Sequence, residues 1–227
     1  MQRFRVGVDI GGTFTDIVFL GDDGQVLARK IASTPDDYSQ AVLEGINNGV
    51  KELGITPEMV SEVSHGFTVA TNAIIEQKGA KTALITTEGF RDILEFRRNR
   101  IPRLYDLHYE KPPSLVKRQF RLEVSERLNF HGEVLQPLNK DDVNRAVQYV
   151  VDNGVESVAV CLLHSYANPE HEQYIAKALA EKAPGVNLTI SSELLPEMKE
   201  YERTSTTVIN CYVRPVVETY LTQLTDG

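Results

Sequence analysis

The sequence has no surplus of basic residues. Its 24 lysines and arginines are outnumbered by 32 acids, which gives a net charge of -8 and a pI near 5.2. Nucleic-acid binders carry a strongly basic face, so a nucleic-acid partner is not expected. No apolar run approaches the roughly 18 residues of a membrane helix, which argues against a membrane partner. The opening, MQRFRVGVDIGG, holds an apolar stretch only long enough for a strand, so no signal peptide is expected. Cysteine is scarce. Cys161 and Cys211 stand far apart in apolar surroundings, as buried free thiols of a cytoplasmic protein would. No internal repeat or low-complexity tract appears. The nucleotide fingerprint G-x-x-x-x-G-K-[ST] is missing, and Gly7–Gly12 does not match the dinucleotide G-x-G-x-x-G. What remains is an ordinary globular composition, 41% hydrophobic and 25% charged, in 227 residues, enough for one large domain or two small ones.

The pattern of elements is α/β. RFRVGVDI, FTDIVFLG and QVLARKIA are three β-prone runs separated by Gly11-Gly12 and Asp23-Gly24, an antiparallel meander. Thr34-Pro35-Asp36-Asp37 reads as a helix start with Thr34 as N-cap and proline at the first helical position. Val42, Ile46, Val50 and Leu53 then recur at helical spacing, and Gly54 ends the helix. A short strand VSHGF, a helix reaching Gly79 and a buried strand KTALITT complete the order βββαβαβ. From 96 to about 138 periodicity fades and prolines collect, as in an insertion of loops with one or two strands, FRLEVSERLNF among them. Asn139 caps a further helix, ESVAVCLL is a buried strand, Asn168-Pro169 starts another helix, and NLTISS is a strand. The last helix, from about Met198 to Leu224, holds Pro215, which is expected to kink or split it.

The densest chemistry lies in VGVDIGGTFTD. An apolar strand delivers Asp9 to its carboxyl end, where ligands of α/β sheets bind. Gly11 and Gly12 permit positive φ, which costs a residue with a Cβ about 1–2 kcal/mol. They also leave backbone N–H groups uncovered. Thr13 and Thr15 add hydroxyls suited to phosphate oxygens. Asp9 and Asp16 would repel phosphate unless a hard divalent cation, normally Mg2+, sits between. The two glycines alone equally fit a plain hairpin turn; the full string with both acids and both threonines favours phosphate.

The string DIGGTFTD followed by a meander resembles the first phosphate motif of the sugar kinase–actin superfamily, with its ribonuclease H-like fold. More closely, the chain is similar to the N-terminal region of the hydantoinase/oxoprolinase family. The strings that carry this are VDIGGTFTDIV, HGFTVATNAIIEQKGAKTALITTEGFRDILE, LYDL, VAVCLLHSYANPEHE and SSELLPEMKEYERTSTTVINCYVRP. The resemblance implies a ribonuclease H-like mixed sheet with helices on both faces, a further α/β unit, and a family boundary that assigns residues 1–196 to the N-terminal region and 197–227 to the start of the catalytic region. It implies ATP and Mg2+ as cofactors and activation of a carbonyl by phosphorylation. The substrate would be a cyclic amide such as 5-oxoproline or a hydantoin, or in related carboxylases a ketone with bicarbonate. Carried onto this sequence, the phosphate site is Asp9, Gly11, Gly12, Thr13, Phe14, Thr15 and Asp16, with Asp9 holding the metal. His65, Thr68 and Asn72 are the substrate-side candidates from HGFTVATNA, where Phe67 replaces the usual threonine. His65 and Asn72 also fit a turn and a helix start without a ligand.

Arg91, Arg97, Arg98, Arg100 and Arg103 cluster around Asp92. Such a cluster fits a carboxylate or phosphate grip as well as a solvated face. Arg91 and Asp92 lie in the matching family string and are the preferred pair. His164 and His171 lack a third ligand at metal spacing and read as structural; Glu200, Glu202 and Arg203 open the last helix. No second Asp-x-Gly-Gly-Thr follows, so the resemblance points to a piece completed by the rest of a catalytic chain or a second subunit, oligomeric in the full enzyme. Weak or absent ATP turnover is expected of these residues alone. A nucleotide-responsive module without catalysis is the third reading.

Overall fold

The computed structural model describes residues 2–34, 37–98, 105–106 and 108–226. In chain order its elements are β1 (Phe4–Ile10), β2 (Phe14–Gly21), β3 (Val26–Ala32), α1 (Tyr38–Leu53), β4 (Val60–Phe67), α2 (Val69–Ile75), β5 (Thr82–Thr87) and α3 (Ile93–Phe96). Then come β6 (Arg121–Val124), β7 (Arg127–Leu128), β8 (Val134–Gln136), α4 (Lys140–Asp152), β9 (Ser157–Cys161), α5 (Glu170–Lys182), β10 (Asn187–Ile190), α6 (Ser191–Leu194) and α7 (Glu200–Asp226). Arg100 and Arg103 lie outside the described residues.

Two compact units divide the chain: residues 1–78 with 216–227, and residues 79–215. The first holds a sheet in the order β3-β2-β1-β4. β1, β2 and β3 form the expected antiparallel meander, and β4 lies parallel to β1. Strict alternation orients it. Phe4, Val6, Val8 and Ile10 of β1 and Ile17 and Phe19 of β2 are buried, while Arg5, Gly7 and Asp9 are exposed. Helix α1 covers the buried face closely, because Gly45 and Gly49 let its backbone approach. A Cβ at Gly45 would stand 2.0 Å from Ile17 Cδ1, and one at Gly49 2.1 Å from Phe19 Cε2. The N-cap of α1 is Asp37, whose Oδ1 accepts from Ser39 N–H at 3.0 Å, rather than Thr34. Thr34 instead uses its hydroxyl on the carbonyl of Asp37. Pro35 and Asp36 lie outside the described residues. Gly54 ends the helix in the left-handed region, φ 64°.

The second unit has a parallel sheet in the order β10-β9-β5-β6. The order βββαβαβ therefore holds along the chain, but its last strand, β5, belongs to this second sheet. All of β5 and β9 is buried, as continuous apolar runs require when both sheet faces are covered. The stretch expected as an irregular insertion supplies β6, which pairs with β5, and the small hairpin β7–β8. Asn139 caps α4, accepting from Asp141 N–H at 2.9 Å. Helix α7 runs unbroken for 27 residues with Pro215 inside it, and the boundary between units falls just after that proline. Among the described residues no helix is long and apolar enough to cross a membrane.

Helix propensity alone makes Gly49→Ala favourable by about 1 kcal/mol, yet the Phe19 contact turns the sign. Urea unfolding should show a loss of about 1–3 kcal/mol. In the second unit, the Ser125 backbone N–H donates to Asp142 at 2.9 Å and holds its carboxyl below the usual aspartate range, against the opposing effect of burial. A lowered folded value means that this carboxylate stabilises the fold above the ordinary pKa of 3.8, and that the contribution is lost as pH falls through the folded value. Asp142→Asn should therefore flatten the acid limb of the stability curve between about pH 5 and pH 2, read by denaturant midpoints across that range.

Candidate functional site

The β1–β2 turn is closed by few bonds. Gly11 N–H donates to Phe14 O at 3.0 Å, and Ser33 at the end of β3 fastens it from the side. Ser33 Oγ donates to Gly11 O at 2.7 Å and lies 2.9 Å from Thr15 Oγ1, while Ser33 N–H donates to Thr13 O at 2.9 Å. Among the described residues, no hydrogen bond engages the backbone N–H of Gly12 or Thr13. Those two amides are what the turn offers to a ligand.

The glycines serve close approach rather than unusual backbone. Neither Gly11 nor Gly12 has positive φ, contrary to the sequence expectation. A Cβ at Gly11 would stand 2.9 Å from Phe14 O, and one at Gly12 3.0 Å from Asn72 Nδ2. Thr13 and Phe14 are exposed. Thr15 is 0% exposed, and its hydroxyl is spent on Ser33. Its part in the site is to hold the serine that holds the turn.

Asp9 and Asp16 are paired residues of neighbouring strands on the sheet face opposite α1, and Asp16 is in turn paired with Lys30 of β3. Lys30 Nζ lies 2.9 and 2.8 Å from the two Asp16 carboxylate oxygens. The ammonium also sits 5.5 Å from the Phe14 ring centroid. A row of Asp9, Asp16 and Lys30 thus crosses three strands. Among the described residues Asp9 forms no ion pair. Asp9 and Asp16 border a groove of about 450 Å³ together with Gly7, Val18, Ser64 and Gly66. Gly12 borders a second cavity of about 380 Å³ with Tyr38, Asn72, Glu76 and Lys78.

The β4–α2 junction is stitched to the end of β1. Thr68 donates both its N–H and its hydroxyl to Ile10 O, at 3.2 and 3.3 Å, and Asn72 Nδ2 donates to Thr68 Oγ1 at 3.2 Å. His65 is exposed and borders the Asp9 groove, with Nδ1 3.1 Å from the hydroxyl of Tyr220. Burial raises the Tyr220 phenol pKa, which keeps this hydroxyl protonated. Phe67 packs into the core against Tyr220, ring centroids 5.0 Å apart. The Phe67 ring also stacks on His65, ring centroids 5.9 Å apart.

Asp9 through Asn72 lie in the first unit, whereas Arg91 and Asp92 lie in the second. Asp92 accepts two bonds from Arg118, each 3.0 Å, which hold its carboxyl below the usual range. Arg91 Nη1 is 3.5 Å from Glu123. Arg97 and Arg98 go elsewhere, to Pro112 O and to Glu202. His171 is buried, its Nδ1 2.8 Å from Glu126, and His164 is bonded to Tyr166. Arg203 is buried on Ser165 and Ser191. Sequence reasoning missed Lys30, Ser33 and Tyr220. A turn centred on Asp23 pairs Asp16 with Lys30, so that neighbour was available from hairpin counting; Tyr220, 155 residues from His65, was not.

Fold and turn together define an α/β protein with an open glycine turn beside two strand-end carboxylates. The hydantoinase/oxoprolinase N-terminal region model matches residues 5–183, and the chain belongs to that family. It is 35% identical to the caprolactamase subunit alpha of Pseudomonas jessenii over 98% of this chain and 33% of that one. It is 30% identical to the acetophenone carboxylase gamma subunit of Aromatoleum aromaticum over 92% of this chain and 31% of that one. The crystal structure of the ATP-dependent caprolactamase from Pseudomonas jessenii superposes with a TM-score of 0.88 at 34% identity, covering 97% of this chain and 33% of that one. The chain thus spans about a third of the length of these relatives.

The geometry separates the two glycines. Gly12→Ala meets only the end of a flexible amide, so its melting temperature should match that of the unmodified chain. Gly11→Ala meets a backbone oxygen and should unfold at lower denaturant, by about 1–3 kcal/mol. Paired melts of the two variants check this.

Proposed function

We propose that this chain is the ATP-binding, N-terminal part of an ATP-dependent hydrolase that opens a cyclic amide of the lactam, 5-oxoproline or hydantoin type. The observation that carries the reading is the pair of amides at Gly12 and Thr13, unengaged among the described residues, in the turn that follows the strand bearing Asp9, whose carboxylate has no ion pair among them. Backbone donors of this kind suit phosphate oxygens. Similarity to a caprolactamase subunit supports the amide substrate.

The residues fit magnesium in the way a nucleotide site needs. Mg2+ takes one or two carboxylates and fills its remaining positions with water and phosphate oxygen. Asp9 offers such a carboxylate, while Lys30 already neutralises Asp16. Bound Mg-ATP would supply a phosphoryl group to the carbonyl oxygen and so make the ring carbon open to attack by water. The chain's own part is positioning and charge. Gly12 and Thr13 would donate to phosphate, Asp9 would hold the metal, and the Asp16–Lys30 pair limits like-charge repulsion at the turn. His65, on the Asp9 groove, and Asn72, on the Gly12 cavity, are the substrate-side candidates of this reading, with Thr68 between them. Residues 1–196 form the family's N-terminal region in this reading and 197–227 open the next one, completed by further chain or another subunit.

A second reading is favoured by the similarity to an acetophenone carboxylase subunit. The same turn then serves carboxylation of a ketone, with bicarbonate as co-substrate. The test is phosphate release by the parent enzyme with 5-oxoproline, N-methylhydantoin, or acetone plus bicarbonate. Release driven by a cyclic amide supports the hydrolase, release that needs bicarbonate selects the carboxylase, and release with none of them rejects both. Asp9→Asn should lower kcat by at least about 10²–10³-fold. Unchanged turnover in that variant would leave only a non-catalytic nucleotide module.

A further inference from the structure

Two spaces adjoin the glycine turn, and they differ in chemistry. The groove at Asp9 carries two carboxylates. The cavity of about 380 Å³ beside Gly12 does not. Val69, Ala73 and Val216 give it apolar lining, and Tyr38 an aromatic side chain. Its two charged members, Glu76 and Lys78, pair with each other at 2.7 Å, so the lining presents no net charge. Asn72 adds a neutral carboxamide. All of these residues belong to the first unit. Small-molecule sites of about 300–1,000 Å³ have this make-up, apolar walls with a few placed polar groups.

The orientation of the Asn72 amide follows from its neighbour. Thr68 Oγ1 donates its single proton to Ile10 O at 3.3 Å, so it accepts from Asn72 Nδ2, 3.2 Å away. That bond uses one of the two Nδ2 protons. Among the described residues, the second proton and Oδ1 have no hydrogen bond. Asn72 is half-buried, and Oδ1 is not sealed from solvent. A Cβ built at Gly12 would stand 3.0 Å from Nδ2 and 3.8 Å from Cγ, with Oδ1 beyond 4 Å. The donor end of the amide is therefore nearer the turn than the acceptor end.

A spare N–H beside a spare C=O is the edge that a cis amide matches. In a small lactam ring the N–H and C=O lie on one side, so both can bond to one carboxamide, N–H to Oδ1 and C=O to Nδ2. An open-chain secondary amide is trans and offers the two groups on opposite sides. A ketone offers only an acceptor and would leave Oδ1 without a donor, which weakens binding. With Nδ2 nearest Gly12, the pairing sets the ring oxygen on the side of the turn.

We infer that Asn72 is the specificity-determining residue for the amide, and that the Gly12 cavity takes a neutral lactam in preference to a ketone or to an anionic ring such as 5-oxoproline. The inference rests on the proposed hydrolase reading for the phosphoryl donor, and it divides the labour of that site. Metal and phosphate belong to the groove at Asp9, and the amide belongs to the cavity at Asn72.

Amide NMR of the isotope-labelled 227-residue chain tests it, with pyrrolidinone, N-methylpyrrolidinone, cyclopentanone and 5-oxoproline as separate titrants. Pyrrolidinone should bind saturably and shift the Asn72 Nδ2 protons and the Gly12 N–H. The other three should bind at least about fivefold more weakly, the loss expected for one hydrogen bond. Asn72→Leu should bring pyrrolidinone down to the level of cyclopentanone and leave cyclopentanone unchanged. The comparison of titrants on the unmodified chain decides the matter even if that variant fails to fold. No saturable pyrrolidinone binding, equal affinity for pyrrolidinone and cyclopentanone, or shifts confined to residues away from Asn72 would overturn the inference. Such a result beside phosphate release driven by a cyclic amide in the parent enzyme sinks this pocket and keeps the hydrolase. Lactam binding at Asn72 in a parent enzyme that releases no phosphate does the reverse.

Discussion

The register of the first hairpin is the constraint on which the site depends. Because Val8 pairs with Ile17 and Val6 with Phe19, these side chains share one face, and Asp9 and Asp16 share the other. Burying each large apolar side chain is worth about 1.5–3 kcal/mol. A slip of one residue would expose that set and drive both carboxylates into the core, where an unpaired charge is far more expensive than the lost contacts. Hydrophobic alternation in β1 and β2 thus does more than build a sheet. It fixes two acids at the strand ends, facing outward beside the turn.

Two acids side by side raise a second problem, and the third strand resolves it unevenly. Lys30 meets both oxygens of Asp16, which leaves Asp9 as the carboxylate without an ion pair among the described residues. The motif reads symmetrically, Asp at either end of Gly-Gly-Thr-x-Thr, but the fold makes the two ends different. One is a neutralised wall of the groove, and the other carries its own charge. Ser33, three residues beyond Lys30, ties the turn itself to β3. The third strand therefore sets both the electrostatics and the shape of the loop.

Much of this was legible, within the limits of local pattern. The meander, the Asn139 cap and the Gly54 stop depend on neighbours in sequence, and sequence reading found them. The N-cap at Asp37 was missed because Thr34 and Asp37 both offer side-chain oxygens within one turn, and propensity does not choose between them. Positive φ at Gly11 and Gly12 was a plausible role for glycine, yet the role is room for Phe14 O and Asn72. Buried apolar runs such as β5 announce a strand without saying which sheet receives it. Thr15 looked like a phosphate hydroxyl because its type is right; alternation places it inward, a point the same pattern already contained. Arg118 and Arg121 lay beyond the motif that drew attention to Arg91, and only tertiary pairing joins them.

The second unit shows why a buried charge need not be a source of net stability. Glu172 is fully buried and accepts from Leu162 N–H, Ser191 Oγ and Ser192 N–H at 2.9, 2.6 and 2.9 Å, with Arg203 Nη1 4.0 Å away. Apolar replacement of such a group is often neutral or better for stability, provided that both charges go together. What apolar side chains cannot do is choose among backbone positions. Glu172 joins the start of α5 to the ends of β9 and β10, and Glu126 likewise takes His171 and Thr87, whose hydroxyl receives Leu163 N–H at 3.0 Å. These bonds all converge on the carboxyl ends of parallel strands, the edge where α/β sheets bind ligands. Each carboxylate satisfies several donors at once, so losing one would release several segments together. The network therefore fixes the mutual spacing of strand ends, a geometric service that the apolar core beneath it leaves open.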